Sequence, residues 1–312
     1  MGLFLGIDTS NYTTSAALFD SGAGTVRMEK KLLPTAEGAA GLRQSDAVFA
    51  HVKQLGQLVG TLFNGENLHL DGVGVSLFPR REEGSYMPCF LVGEMGADLL
   101  CGAMGLSKYG FSHQEGHVAA ALYSAGQLQM MEKPFLAFHV SGGTTDALLA
   151  TPGSPVFSIA PVGRSLDLKA GQAIDRVGLA LGLKFPCGPA LTALAEECDE
   201  KIRIKAPVKG SDCSLSGVEN QCRKLLQEGR EPAYIARYCI AFIQSALEQM
   251  TDALLKEYGP LPLLYAGGVM SCRIIRTAFE ARYGGVFADP AYSSDNAAGV
   301  AVLASLSAER GR

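Results

Sequence analysis

Two stretches far apart in this chain share one pattern, and that repeat limits the folds open to it more than any other feature. "LFLGIDTSNYTTSAALFD" (3–20) and "FLAFHVSGGTTDALLA" (135–150) each run an apolar strand into a turn of small hydroxyl or glycine residues and out into a second apolar strand. A lone hairpin is not stable in water, so each copy needs further layers around it. The 312 residues suffice for two such lobes, because single cores stop growing near about 250–300 residues. The expectation is an α/β protein with an N-terminal lobe over 1–130 and a C-terminal lobe over 131–312. Each lobe presents one turn to a shared cleft, and the last helix packs back on the first lobe.

The remaining pattern fits this plan. "TVRMEKKLL" (25–33) completes a meander of three antiparallel strands. From Ser45 the period becomes helical, with Val48, Val52, Leu55, Leu58 and Val59 as the apolar stripe and Ser45 or Asp46 as N-cap. "LDGVGVSLF" reads as a strand, "FLVGEMGADLLCGAMG" as a helix and "YGF" as a short strand. After the second hairpin, helices are expected at 167–182, 189–198, 231–257 and 271–283, with a strand at "LPLLYAGG" and a last helix from near Asp295. Residues 199–221 read as an inserted loop.

Composition narrows the functional classes. A hydrophobic content of 47% with 19% charged residues describes a well-packed globule rather than a disordered chain. No apolar run is long enough for a membrane span, and a strand pattern that starts at the first residues leaves no room for a leader, so a cytoplasmic protein is expected. Eight scattered cysteines form no C-x-x-C pair and read as reduced, buried small residues. A formal net charge of −4 offers no global attraction for nucleic acid. RNA contact would need a local patch such as "KIRIKAPVKG" (201–210), where Lys201, Arg203, Lys205 and Lys209 cluster; a solvated charged loop is the plainer reading.

Several segments carry chemistry. In "FSHQEGHVAAAL", His113 and His117 fall on one helix face and could share a metal. The zinc-protease signature needs its glutamate directly after the first histidine, where Gln114 stands. Spacing alone leaves a metal site and an ordinary amphipathic helix equally open. The turns "DTSN", with Asp8, Ser10 and Asn11, and "SGGTTD", with Ser141, Gly142, Gly143, Thr144 and Thr145, suit a polyphosphate, because backbone N–H groups cradle anionic oxygens where side chains would crowd them. Gly142 and Gly143 would allow close approach and positive φ. Gly267 and Gly268 close a strand before a helix, a second place for a nucleotide. In "SSDNAAGVAVLA", Asp295 is either a helix cap or the anionic third ligand that a two-histidine metal site requires.

Taken in order, these motifs resemble the TsaD family. "GIDTSNYTTSAALFD" is similar to the family's first phosphate motif, "SHQEGHVAAAL" to its metal motif and "HVSGGTTDALL" to its substrate loop. "SLDLKAGQAIDRVGLALGLKFPCGPAL" resembles the ribose-binding segment and "SSDNAAGVAVLA" the stretch with the third metal ligand. The resemblance implies the two-lobed actin, sugar-kinase and Hsp70 ATPase-like fold with duplicated ribonuclease H-like lobes. It implies a metal-dependent transfer of a threonylcarbamoyl group from an adenylate to N6 of adenosine 37 in tRNA. One divalent ion, iron or zinc, would be held by His113, His117 and Asp295, with ATP or an adenylate as ligand. Asp175 and Gly188 would bind the ribose, and Cys272 lies in the nucleotide segment. TsaB-like partner proteins, or a second copy, would assist.

The departures from the family pattern touch the substrate side. Asn11, Tyr12 and Thr13 stand where the family carries acidic residues, and "LFPRREEGSYMP", with Arg80 and Arg81, replaces a T-x-G-P-G-L turn. Cys272 replaces an asparagine, Cys187 a glycine and Gln172 an acid. The reading is a divergent paralogue that keeps its metal. The alternatives are a non-catalytic nucleotide- and metal-binding partner of a true TsaD, and an ATPase or small-molecule kinase of the same superfamily.

Overall fold

The computed structural model describes residues 2–10, 12–34, 42–66, 68–292 and 296–311. They form two compact units, one from residues 1–129, 152–158 and 291–312, the other from 130–151 and 159–290.

The first unit opens with β1 (Leu3–Ser10), β2 (Thr13–Asp20) and β3 (Thr25–Leu32), an antiparallel meander in which Leu3 faces Asp20 and Ser10 faces Thr13. β1 and β2 are buried along nearly their whole length, so their apolar runs are continuous, whereas the edge strand β3 carries charges on its open face. α1 (Gln44–Phe63), β4 (Gly72–Phe78), α2 (Phe90–Met104), β5 (Ser107–Ser112) and α3 (His113–Ser124) follow. β4 and β5 add in parallel, and the sheet order is β3-β2-β1-β4-β5.

The second unit repeats that plan. β6 (Phe135–Val140) and β7 (Thr145–Pro152) form the hairpin, followed by β8 (Phe157–Arg164), α4 (Ala170–Ala180), α5 (Gly188–Glu196), the short ribbon β9 (Val208–Lys209) and β10 (Asp212–Cys213), α6 (Ser216–Gln227) and α7 (Pro232–Tyr258). β11 (Leu263–Ala266), α8 (Arg273–Tyr283) and β12 (Val286–Phe287) complete it. Read from β8, the sheet order is β8-β7-β6-β11-β12, the same permutation as in the first unit. The duplication visible in the two hairpins therefore extends through both sheets. Around α7, the side chains of Ile240, Ile243, Leu247 and Met250 form the middle of this unit's core.

The last helix, α9 (Ala297–Arg310), belongs to the first unit and packs on β1, β4 and α3. Among the described residues no helix is long and apolar enough to cross a membrane.

Three local expectations are corrected. Neither Ser45 nor Asp46 caps α1; the cap is Arg43, with no side-chain bond. Val52 is exposed, because the inner face of α1 runs through Ala47, Ala50, His51, Gln54, Leu55 and Leu58, and two of those polar residues bond to buried Thr14. Residues 199–221 are no loose insertion: Ala206, Cys213, Leu215 and Val218 are buried in the second core.

Candidate metal centre and nucleotide pocket

α3 starts where it does because Ser112 and Glu115 form a capping box. The Ser112 hydroxyl accepts from the Glu115 N–H at 3.1 Å, and the Glu115 carboxylate accepts from the Ser112 N–H at 2.6 Å. That box fixes the first turn, which carries His113, and His117 lies one turn on with ring centroids 4.6 Å apart. Glu115 does not face solvent. It is buried and accepts two hydrogen bonds of 3.2 Å from the Arg81 guanidinium, which also lies over the Phe78 ring. Arg81 thus ties its loop to the start of the histidine helix.

Asp8 sits under His113. Its Oδ2 lies 2.9 Å from His113 Nδ1 and accepts from the Ser76 hydroxyl at 2.5 Å, while Oδ1 accepts from the Ser10 N–H at 2.9 Å. Burial pushes this carboxyl up, but the charge and hydrogen bond of His113 and the bonds from Ser76 and Ser10 outweigh it and hold Asp8 down at about 2. An ionised Asp8 at Nδ1 makes that nitrogen the donor, which leaves the lone pair of His113 on Nε2.

Asn296, just before α9, points its amide nitrogen at the same ring, 3.0 Å from Nε2 and closer still to Nδ1. Its buried Oδ1 has no hydrogen-bond partner. An amide flip would exchange the two atoms and put an acceptor beside the imidazole, where a cation bound at the ring would also meet it. His113, His117 and Asn296 come together because α3 and α9 cross backbone to backbone: a Cβ at Gly299 would overlap the Gly116 carbonyl. Among the described residues no group of three histidine, cysteine or carboxylate side chains is poised for a metal. Asp295, the expected third ligand, and Asn11 lie outside the described residues. Sequence reasoning missed Ser76, Asn296 and the capping box, of which only the S-x-x-E spacing of "SHQE" was a readable signal.

In the second unit the turn between β6 and β7 is built for exposure of backbone. The Ser141 N–H donates to the Thr144 carbonyl at 2.7 Å and the Thr144 N–H to the Ser141 hydroxyl at 3.2 Å, leaving Gly142 and Gly143 at the open tip. Those glycines do not use positive φ. The close packing here depends on Gly171 instead: a Cβ at that position, in the first turn of α4, would come within 2.6 Å of the Gly142 backbone, whereas Gly142 and Gly143 face open space. Thr145 Oγ1 accepts from the Ala170 N–H at 2.9 Å, which fixes the helix start against the turn.

Gly188, Gly268 and Cys272 line one pocket of about 270 Å³ together with Pro189, Thr192 and Val269. Gly267 is not on its wall; with φ of +97° it makes the bend after β11 and lies against the Val140 carbonyl, where a side chain has no room. Asp175 accepts from the Cys187 N–H at 2.8 Å and so holds the start of α5.

Comparison with known proteins gives a consistent result. The sequence model of a family described as tRNA N6-adenosine threonylcarbamoyltransferase, TsaD, matches residues 37–302. A protein of that name from Thermus thermophilus is 31% identical over 98% of this chain and 93% of its own length. One from Chloroherpeton thalassium is 28% identical over 98% and 92%. Solved structures with the same fold include full-length HypF in its phosphate- and nucleotide-bound form, with a TM-score of 0.61 at 11% identity over 99% of this chain and 55% of that one. A glucokinase of the ROK family from Streptomyces griseus gives 0.53 at 14% identity over 97% and 99%. These likenesses show the fold that the family resemblance implied, that of the actin, sugar-kinase and Hsp70 group.

Proposed function

The chain belongs to the tRNA N6-adenosine threonylcarbamoyltransferase family, TsaD, and from that premise we propose that it transfers a threonylcarbamoyl group from its adenylate to N6 of an adenosine in tRNA. In that reaction the N–C bond forms at the donor carbonyl, the carbonyl–phosphate bond breaks, AMP leaves and the amine loses a proton. His113 and His117 would hold one divalent ion, iron or zinc, with Asp295 as the third ligand. When bound, that ion would supply Lewis acidity toward the donor.

The observation that carries the reading is the Asp8–His113 pair. A buried carboxylate behind an imidazole fixes the tautomer and leaves Nε2 as the ligand nitrogen, the arrangement a histidine ligand needs. In the second unit, the open Gly142–Gly143 tip supplies backbone N–H groups for phosphate oxygens, and the pocket at Gly188, Gly268 and Cys272 takes the nucleoside, with the second Asp175 oxygen left for the ribose. ATP would occupy the same pocket. Work in the cytoplasm, with TsaB-like partner proteins or a second copy, is part of this reading.

The test is incubation of metal-loaded protein with threonylcarbamoyl-adenylate and unmodified tRNA, with and without such partners, followed by mass spectrometry of the nucleosides. Modified adenosine that disappears in His113→Ala is expected. One feature favours a second reading: Tyr12, half exposed, and Thr13 stand where the family carries acids. Metal uptake and nucleotide binding without product would make the chain a binding paralogue or a partner subunit of an active TsaD.

A further inference from the structure

Residues 201–209 alternate outward and inward without a break. Lys201, Arg203, Lys205, Pro207 and Lys209 are exposed, while Ile202, Ile204, Ala206 and Val208 turn toward the protein. A period of two means an extended segment, and here it puts every cation on one face. The strap is fastened to α7: the Ser245 hydroxyl donates to the Ile204 carbonyl at 2.8 Å and accepts from the Ala206 N–H at 3.3 Å, and the Gln249 amide donates to the Ala206 carbonyl at 3.0 Å. Ala206 is in the core. The segment is thus a fixed ridge rather than a solvated loop.

None of the four cations forms an ion pair with a described residue. Two of the nearby acids are otherwise engaged: Glu200 pairs with Arg230, and Asp212, across the ribbon from Lys209, accepts from the Arg164 N–H. Alternate residues of an extended chain lie roughly 6.6 Å apart, so Lys201, Arg203 and Lys205 make an evenly spaced row of charges. Such a row matches a polyanion with regularly spaced charges.

We propose that this strap is the surface by which the chain grips the phosphate backbone of its RNA substrate, a proposal that rests on the tRNA-directed function above. An acidic protein partner is the poorer match, because protein interfaces are depleted of lysine and anchored by buried apolar or aromatic groups, and the outward face of the strap offers none. Contacts of this kind position the RNA without reading its sequence.

The experiment is fluorescence anisotropy of labelled, unmodified tRNA with the full-length protein across about 50–300 mM salt. The variant Lys201→Ala/Arg203→Ala/Lys205→Ala is compared with a charge-matched control, Lys53→Ala/Lys133→Ala/Lys256→Ala. All six side chains are exposed, so folding is unaffected. The strap variant should bind about ten to a few hundred times more weakly, with the log–log salt slope smaller by about 2–3, and to the same degree for tRNAs of different sequence. The control should follow wild type, and metal uptake should be unchanged in both. Unchanged tRNA affinity and slope in the strap variant, with wild type binding well, overturns the strap and leaves the function standing. Wild type that takes up metal but binds no tRNA overturns both.

Discussion

A histidine can offer a metal only the ring nitrogen that its other nitrogen leaves unprotonated, and at His113 that choice is made by Asp8. Asp8→Asn keeps the shape and removes the charge, so metal affinity should fall about 10- to 100-fold, as measured by competition with a coloured chelator. The same pair predicts an acid limb of stability. Because the folded-state pKa of Asp8 is lowered from 3.8 to about 2, its contribution is full above the unfolded value and is lost as pH falls through 4 toward 2. It amounts to about 2 kcal/mol, and Asp8→Asn should flatten that part of a denaturation profile. His51 acts in a separate window. Its burial, against the pull of Asp8 and the Ser10 carbonyl, drives its pKa down from 6.5 to about 4. The unfolded chain therefore binds the extra proton between those values, and stability should decline from pH 6.5 to 4 with a slope of at most about 1.4 kcal/mol per unit, absent in His51→Gln. The H-x-x-x-H spacing was legible in the sequence because both histidines lie on one helix. The roles of Asp8 and His51 were not, because each depends on a partner that only the sheet and α1 bring near.

Among the elements, the helix α3 shows why the histidine segment reads two ways. "SHQE" begins a helix through its capping box whether or not a metal is present, so local chemistry alone cannot decide between site and scaffold. What the fold adds is the crossing with α9, where Gly116 and Gly299 remove the side chains that would hold the helices apart and Asn296 comes up to His113. Gly299→Ala should destabilise the protein by about 1–3 kcal/mol or more in urea titration of metal-free protein, and lower metal uptake as Asn296 moves from His113. The start of α8 lacks a side-chain cap. Cys272 has the extended N-cap conformation but makes no capping bond, where a serine or asparagine could. The near-isosteric Cys272→Ser should therefore raise stability by about 0.5–1 kcal/mol in the same assay. A strand end followed by a helix was readable at this place; the missing cap was not, since it is a matter of one side-chain angle.

For the molecule as a whole, chain order and spatial order diverge at the C-terminus. The two hairpins announced the duplication because a strand pattern is local, and the repeated sheet order followed from it. The return of α9 to the first unit rests instead on a long-range fit of small residues. Gly6 and Gly74 are bare where α9 crosses β1 and β4, and ten of its residues, from Ala297 to Ser307, are buried. In the "GVG" at 72–74 the second glycine serves this packing, while Gly72 makes room for Tyr109 and Phe4. Removing residues 291–312 should therefore uncover both strands and the α3 face at once, while the second unit, continuous from 159 to 290 and joined to 130–151, keeps its own core. The expected result for the 1–290 fragment is loss of hydrogen-exchange protection in β1, β2 and β4 with protection retained in β6, β11 and α7. Uniform loss across both sheets would mean that the two cores unfold as one; protected β1 and β4 would mean that the meander, α1 and α2 suffice without their third layer.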